Sequence, residues 1–481
     1  MKRRLNELRS RMKIFWAFPE KSFAFGVPMS GETKKDLYIF IFACSVGILF
    51  SIITGFPGTS PLYSAFLKEE LRVSNTVFGI LAALPYFAVI VQIPFAAYLR
   101  KNPKIKSFYI VFSLIMRINF IILGVVSYFA GSISRTALIL FVLILQSITS
   151  VACWVGDLCF NVWLGAACPA SCNGRFISTR QMVFTSAQLI YAFLLTLFLR
   201  KIGSSPEKYI ILFSLAGIFG CLEILSFLFV REPKAKAEKE ALRNSSFIRD
   251  FTAPFRNKSY RNYLFFAALW YFGNSVHGPF TNVFMNEYLK LPMSLQTLYA
   301  SLLPGFATVL FIRLFGRIND RYGHRNTLLL FSGLASLSSL IWLFVSPRTH
   351  GLIVLCNFIW AVVGAATDMT LFSMGIYLAP ENQRTNYVSV KTVFMHLVGI
   401  GPAIIIGGVI MDRLTPLLAE AELPFFFGQY VQPFHFITLL AVVLRLLAVL
   451  LFARRIEQDS ELDFRGFVRA LREGLRYRIR S

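Results

Sequence analysis

Apolar residues in this chain come in long blocks, divided by short polar or basic joints. A helix needs about twenty such residues to cross the hydrocarbon of a bilayer. Read this way, the pattern predicts twelve spans, at 37–60, 76–99, 107–130, 136–167, 176–200, 209–230, 260–285, 297–315, 326–346, 351–379, 389–411 and 433–453. The fold class expected is an all-α polytopic membrane protein of twelve transmembrane helices in two pseudo-symmetric six-helix bundles.

The division into two bundles rests on a repeat. "SPLYSAFLKEELR" (60–72) aligns with "GPFTNVFMNEYLK" (278–290), matching Pro61 with Pro279, Phe66 with Phe284 and Glu69 with Glu287. "LAALPYF" (81–87) aligns with "ASLLPGF" (300–306). Further on, Asp157, Pro169, Ser178 and Arg180 have counterparts in Asp368, Pro380, Ser389 and Lys391. Repeated halves characterise secondary transporters, which bind substrate between them near the midplane.

Composition agrees with the pattern: of 481 residues, 56% are hydrophobic and only 15% charged, against about 25% charged in soluble domains. The net charge of +24 raises the question of nucleic acid, and its distribution answers it. Of 49 Lys and Arg, nine lie in 1–35, eight in 231–258 and eight in 454–481. Basic residues gathered in tails and one internal loop mark the cytoplasmic side, so no nucleic-acid partner is expected. The expected organisation is a basic cytoplasmic extension (1–35), a first bundle (36–230), a cytoplasmic central loop (231–258), a second bundle (259–453) and a basic amphipathic tail (454–481). Both termini are expected in the cytoplasm and the protein in the plasma (inner) membrane. Arg200 and Lys201, outside in this topology, count against it. Residues 1–35 show no cleavable signal peptide. Five of the seven Cys lie in apolar blocks, and Cys168 and Cys172 lack a second ligand pair, so neither a disulfide framework nor a metal site is read.

Between the eighth and ninth blocks stands "GRINDRYGHR". It resembles the signature loop of the major facilitator superfamily, G-x-x-x-D-R-x-G-R-R: Gly316, Asp320, Arg321, Gly323 and Arg325 match, and His324 departs. The six-plus-six layout extends the resemblance over 37–453. It implies a gating role for these five residues, with the Asp holding the cytoplasmic side shut. The equivalent first-half loop, "AAYLRKNPKIK", has Ala96 for the Gly and Arg100 for the Asp, which puts a first-half latch in doubt. The resemblance also implies that spans 1, 4, 7 and 10 line the cavity.

Polar residues inside spans are costly and are therefore functional candidates. Gln146, Ser150, Trp154, Asp157 and Asn161 share one face of span 4. Trp270, Asn274 and His277 share a face of span 7, where Gly273, Gly278 and Pro279 should weaken the helix. With Gln188 of span 5 and Asp368 of span 10, these make the expected substrate cavity. A structural hydrogen-bonding role competes at each. Asp157, near the midplane, could carry a proton or stay charged against a cationic substrate group. Arg117, Glu223 and Arg445 fall in spans the resemblance places at the periphery, where pairing or snorkelling is favoured. In span 11, "GIGPAIIIGG" (399–408) permits close packing. It looks like the Gly-Pro signature that drug/proton antiporters of the superfamily carry in span 5, yet span 5 here has neither residue.

The function expected is secondary active transport of a small organic solute by alternating access, with protons as a candidate coupling ion and no cofactor. An enzyme acting on lipid-linked substrate would need a catalytic constellation in a sizeable loop, and most loops are short. A non-transporting sensor or assembly factor of the same fold is the other alternative; it has no need of polar stripes. The partners expected are the small-molecule substrate and anionic lipid headgroups, met by amphipathic helices in both tails: Leu5, Leu8, Met12 and Phe15 in front, Phe464, Phe467, Val468, Leu471 and Leu475 behind. A monomer is expected.

Overall fold

The structure, a computed structural model, describes residues 21–25, 27–55, 60–102, 104–169, 172–202, 207–232, 247–299, 318, 323–380, 383–426, 430–457, 463–470 and 472. Ten of the described helices are long and apolar enough to cross a membrane: Gly31–Thr54, Asn75–Ala96, Ile105–Tyr128, Arg135–Ala167, Arg175–Ile202, Lys208–Phe229, His324–Phe344, Leu352–Tyr377, Asn386–Ala421 and Pro433–Arg455. They occupy the places of spans 1–6 and 9–12. Lys258–Val283 is one continuous helix in the place of span 7. Span 8 is described only from Met293 to Tyr299. The described helices fit the expected twelve-span layout, in which most of span 8 lies outside them.

Two boundaries differ from expectation. Span 1 begins at Gly31, because Ser30 caps it by accepting from the Thr33 amide at 3.2 Å. The charges that hid this start are neutralised in place: Arg231, just past span 6, donates to Asp36 and to Glu32, each at 2.6 Å. Span 11 runs on to Ala421, past the charged pair Asp412 and Arg413 that ends its apolar block. Before span 1, β1 (Lys21–Ala24) pairs antiparallel with β2 (Val27–Ser30). Of the two expected amphipathic tail helices, the front one lies outside the described residues. The rear one is helical over 464–470, with Phe467 fully buried.

Within each half, side chains interlock in aromatic clusters, which is where many of the 50 Phe are used. Tyr63, Phe66, Phe120, Tyr209 and Phe213 meet at ring separations of 5.2 to 6.3 Å in the first half. Phe40, Tyr109, Trp163 and Phe227 form a second cluster toward the end that holds the termini. Such rings add edge-to-face attraction to area burial.

The halves meet chiefly along spans 2 and 11. Their axes approach through glycines: a Cβ at Gly79 would stand 2.9 Å from the Ile404 carbonyl oxygen, and one at Gly408 would strike the Asn75 carbonyl. The same glycine run lets span 11 press on span 7, where a Cβ at Gly399 would lie 2.8 Å from the Ala268 carbonyl.

Candidate functional site

Span 4 carries its polar stripe into two environments. Gln146 and Ser150 are buried inside the first half: Gln146 accepts from the Tyr63 hydroxyl at 3.1 Å, and Ser150 donates to the Gln146 carbonyl at 2.7 Å. Farther along, Asp157 and Asn161 are exposed. Gln92 of span 2 reaches across, its amide nitrogen 3.1 Å from the Trp154 carbonyl and 3.5 Å from Asp157.

Trp154 stands at the boundary. Its indole N–H donates to the Pro85 carbonyl, at a place where proline has already loosened span 2 into a 3-10 turn, Ala88–Val91. From the other half comes His396, whose ring centroid lies 5.2 Å from that of Trp154 and 5.5 Å from that of Tyr86. His396 sits in Met395–Ile400, a turn widened to π-helix just before Pro402, which has no amide hydrogen to give. Three aromatic side chains from spans 2, 4 and 11 thus meet between the halves, next to the exposed Asp157.

The second half contributes Asp368, also exposed. It accepts from the Tyr271 hydroxyl at 2.9 Å, and the buried Lys391 is near enough for the two charges to interact. Gln188 of span 5 is half-buried.

Span 7 departs from the expected broken helix. It is continuous through Gly273, Gly278 and Pro279, and widens to a π turn only at Phe284–Tyr288. Gly273 serves packing: a Cβ there would stand 2.7 Å from Arg445 Cγ. Trp270 and His277 are buried, and Asn274, half-buried, accepts from Arg445 at 3.2 Å. All three therefore turn at least partly toward span 12. Near the other end of span 7's stripe, the His277 ring stacks on Phe434 at 6.3 Å.

Toward the far end polar contacts tie the two halves together. Asp412 of span 11 accepts from the amides of Asn75 and Thr76, at 2.9 and 2.7 Å, capping the first turn of span 2. Beside it, Lys68 donates to Asn75 at 2.7 Å and pairs with Glu287 of the other half at 3.3 Å. This end lies away from the termini. Of the signature loop, Gly316, Asp320 and Arg321 lie outside the described residues. Gly323 has φ 81°, where a side chain is strained, a physical reason for glycine there. Arg325 donates to the Arg454 carbonyl at 2.6 Å, and His324 stacks on Tyr377.

The family model of the Major Facilitator Superfamily matches residues 39–403. The chain belongs to the major facilitator superfamily. It is thus an integral membrane protein of a transporter family. Solved structures of this superfamily's fold superpose over most of its length. A mutant of the nucleoside transporter NupG gives a TM-score of 0.66 at 14% identity, covering 88% of this chain and 100% of that one. An inward-facing, occupied bacterial homologue of the human lysosomal transporter Spinster gives 0.64 at 16%, covering 90% and 100%. A D-xylose–proton symporter gives 0.63 at 14%, covering 86% and 97%. These likenesses show the fold. No curated protein matches the chain.

Sequence reasoning did not single out Tyr86, Gln92, Tyr271 or Asp412. Gln92 carried a signal, an amide within the apolar run "AVIVQIPF". The others became visible only when the helices were assembled.

Proposed function

We propose that this protein is a secondary transporter that moves a small organic solute by alternating access. The observation that carries the reading is the meeting of Tyr86, Trp154 and His396 between the halves, beside the exposed Asp157 and on the termini side of the Asp412 seal. Closure at one end with polar groups wetted deeper in is the arrangement of a carrier open toward the other end. With the termini in the cytoplasm, as the basic tails favour, that state is inward-open.

In this reading the aromatic trio holds an apolar or planar part of the solute, while Asp157, Gln92 and Asn161 take its polar groups from one side. Tyr271 and Asp368 face it from the other. Asp157 either exchanges a proton during the cycle or stays charged against the solute. Small organic solutes, a nucleoside and D-xylose, are named for the superposed structures.

The test is uptake by the full-length protein in proteoliposomes against a panel of radiolabelled metabolites, with and without a proton gradient. For the solute that enters, Asp157→Asn should abolish gradient-driven accumulation. Exchange at equal concentrations separates the two roles: retained exchange means proton coupling, and its loss means substrate binding. No uptake of any member of a broad panel would favour the non-transporting alternative.

A further inference from the structure

Among the described residues, buried Lys and Arg side chains other than Arg445 have a carboxylate near them. Lys68 pairs with Glu287 and Arg117 with Glu223, while Lys391 lies within electrostatic reach of Asp368 without a direct ion pair. Arg445, at the middle of span 12, is completely buried and forms no ion pair among the described residues. Its Nε donates to the Ala441 carbonyl at 3.1 Å and its Nη1 to Asn274 at 3.2 Å, but its Nη2 has no acceptor. The guanidinium lies near two indoles, 5.9 Å from the Trp270 ring and 5.5 Å from the Trp360 ring. Trp270 is itself buried with its Nε1 unpartnered.

The sequence leaves no hidden partner. Between Lys258 and Arg455 the acidic residues deep inside spans are Asp412, held at the first turn of span 2, and Asp368. The latter is engaged by Tyr271, and it lies eight residues beyond Trp360 on span 10, about 12 Å along the helix. Burying a guanidinium without an anion is expensive. Cation–π contact with two indoles offsets part of that cost, but leaves two N–H donors unsatisfied. Arg445 Nη2 and the Trp270 N–H are thus left without acceptors near an unmatched positive charge.

We propose that Arg445, with Trp270 and Asn274, binds the carboxylate of a small organic acid, which is then the substrate class of the carrier. The inference rests on the transport reading above. Asn274 is half-buried and stands one turn from Tyr271, whose hydroxyl meets the cleft at Asp368. The guanidinium is therefore one side chain behind the cleft wall. With the Asn274 amide turned aside, a carboxylate accepts from Nη1 and Nη2 in the paired geometry that arginine favours. The Trp270 N–H adds a third donor. Tryptophan walls and the buried setting suit a carboxylate on an apolar body better than a heavily hydrated ion.

The probe is benzoate. The melting temperature of the purified full-length protein is followed as sodium benzoate, its neutral counterpart benzamide, or sodium chloride is added, with excess sodium sulfate holding ionic strength steady. Benzoate should raise the midpoint saturably by several degrees, and benzamide should not. Arg445→Gln should remove the response. Because that variant could fail to fold, Asn274→Asp serves as the second arm. It supplies a built-in carboxylate, so it should raise the midpoint without ligand and abolish the benzoate response. No benzoate shift, a shift kept in Arg445→Gln or Asn274→Asp, or a shift with chloride alone overturns the proposal. The measurement is made in detergent with nothing to cross, so its failure is separate from failure of transport in proteoliposomes.

Discussion

Arg72 and Lys290 share a backbone conformation that few residues with side chains adopt: φ is 45° at one and 50° at the other. They are partners in the internal repeat, each closing the helix that leads into an equivalent loop. The hydrogen bonds around them match as well. Val73 donates to the Leu67 carbonyl at 3.2 Å and Leu291 to Met285 at 3.0 Å; Leu71 donates to Phe66 at 3.3 Å and Leu289 to Phe284 at 3.0 Å. The repeat read from scattered prolines and glutamates thus extends to identical helix endings.

A left-handed position costs a side chain about 1 kcal/mol relative to glycine. Lys290→Gly is therefore expected to raise the stability of the protein by up to about 1 kcal/mol, seen as a higher thermal midpoint. Arg72→Gly should act alike, since the Arg72 contact with Arg135 uses only its carbonyl. A lowered midpoint in both would show that the side chains hold these turns.

The Asp412 cap predicts a shift of conformational balance. Asp412→Asn removes a charge from the first turn of span 2, where a carboxylate is favoured by the helix dipole. Separation of the far ends of spans 2 and 11, read by paired spin labels, should become more frequent. A coupling of about 1–3 kcal/mol is typical for such elements. Unchanged label distances would remove Asp412 from the gate.

At the opposite end, Asp320→Asn tests the signature loop. The expectation is a shifted inward/outward population with little change in the substrate affinity of a locked state. Distances across the cytoplasmic mouth report it, and an unaltered distribution would leave the loop a topological marker only.

Arg117 and Glu223, 2.9 Å apart and mostly buried, predict strong non-additivity. Removing one partner strands the other charge, at a cost of about 3–5 kcal/mol, whereas replacing both by apolar residues of similar size is often neutral. Arg117→Met and Glu223→Leu should each lower the unfolding midpoint sharply, and the double variant should recover most of the loss. Gly47→Ala should resemble the single variants, because its methyl would occupy the place of the Glu223 carboxylate.

The orientation is tested by labelling. Ser245→Cys, in the basic central segment, should react with an impermeant maleimide only after cells are opened. Labelling of intact cells would invert the topology.

Span positions were legible because apolar length is a property of the chain alone; the described helices begin and end near the expected edges. The exception at span 1 came from Glu32 and Asp36, whose charges read as a boundary until Arg231 is folded against them. Sites were less legible. The stripe from Gln146 to Asn161 is one face of one helix, but its first half meets Tyr63 and its second half is exposed. That division depends on neighbouring helices, which no periodicity encodes. For the same reason the glycines of span 7 read as weak points although Gly273 makes room for Arg445. A scarcity of acids in the second bundle was countable in advance; that Arg445 would lie among tryptophans was not.

The contact of spans 2 and 11 through Gly79 and Gly408 is backbone laid on backbone. Peptide groups have no rotamers, so a surface built from them has few alternative packings to search when it parts and rejoins. Such a joint behaves as a bearing. In the alternating-access reading it returns to the same seat each cycle, and the work of separating it falls on the few polar ties at its rim, Asp412 and the Lys68–Glu287 pair. A bulky residue at either glycine would wedge the bearing ajar, and in the transport reading the carrier would leak or stall at the end away from the termini while each bundle stayed folded.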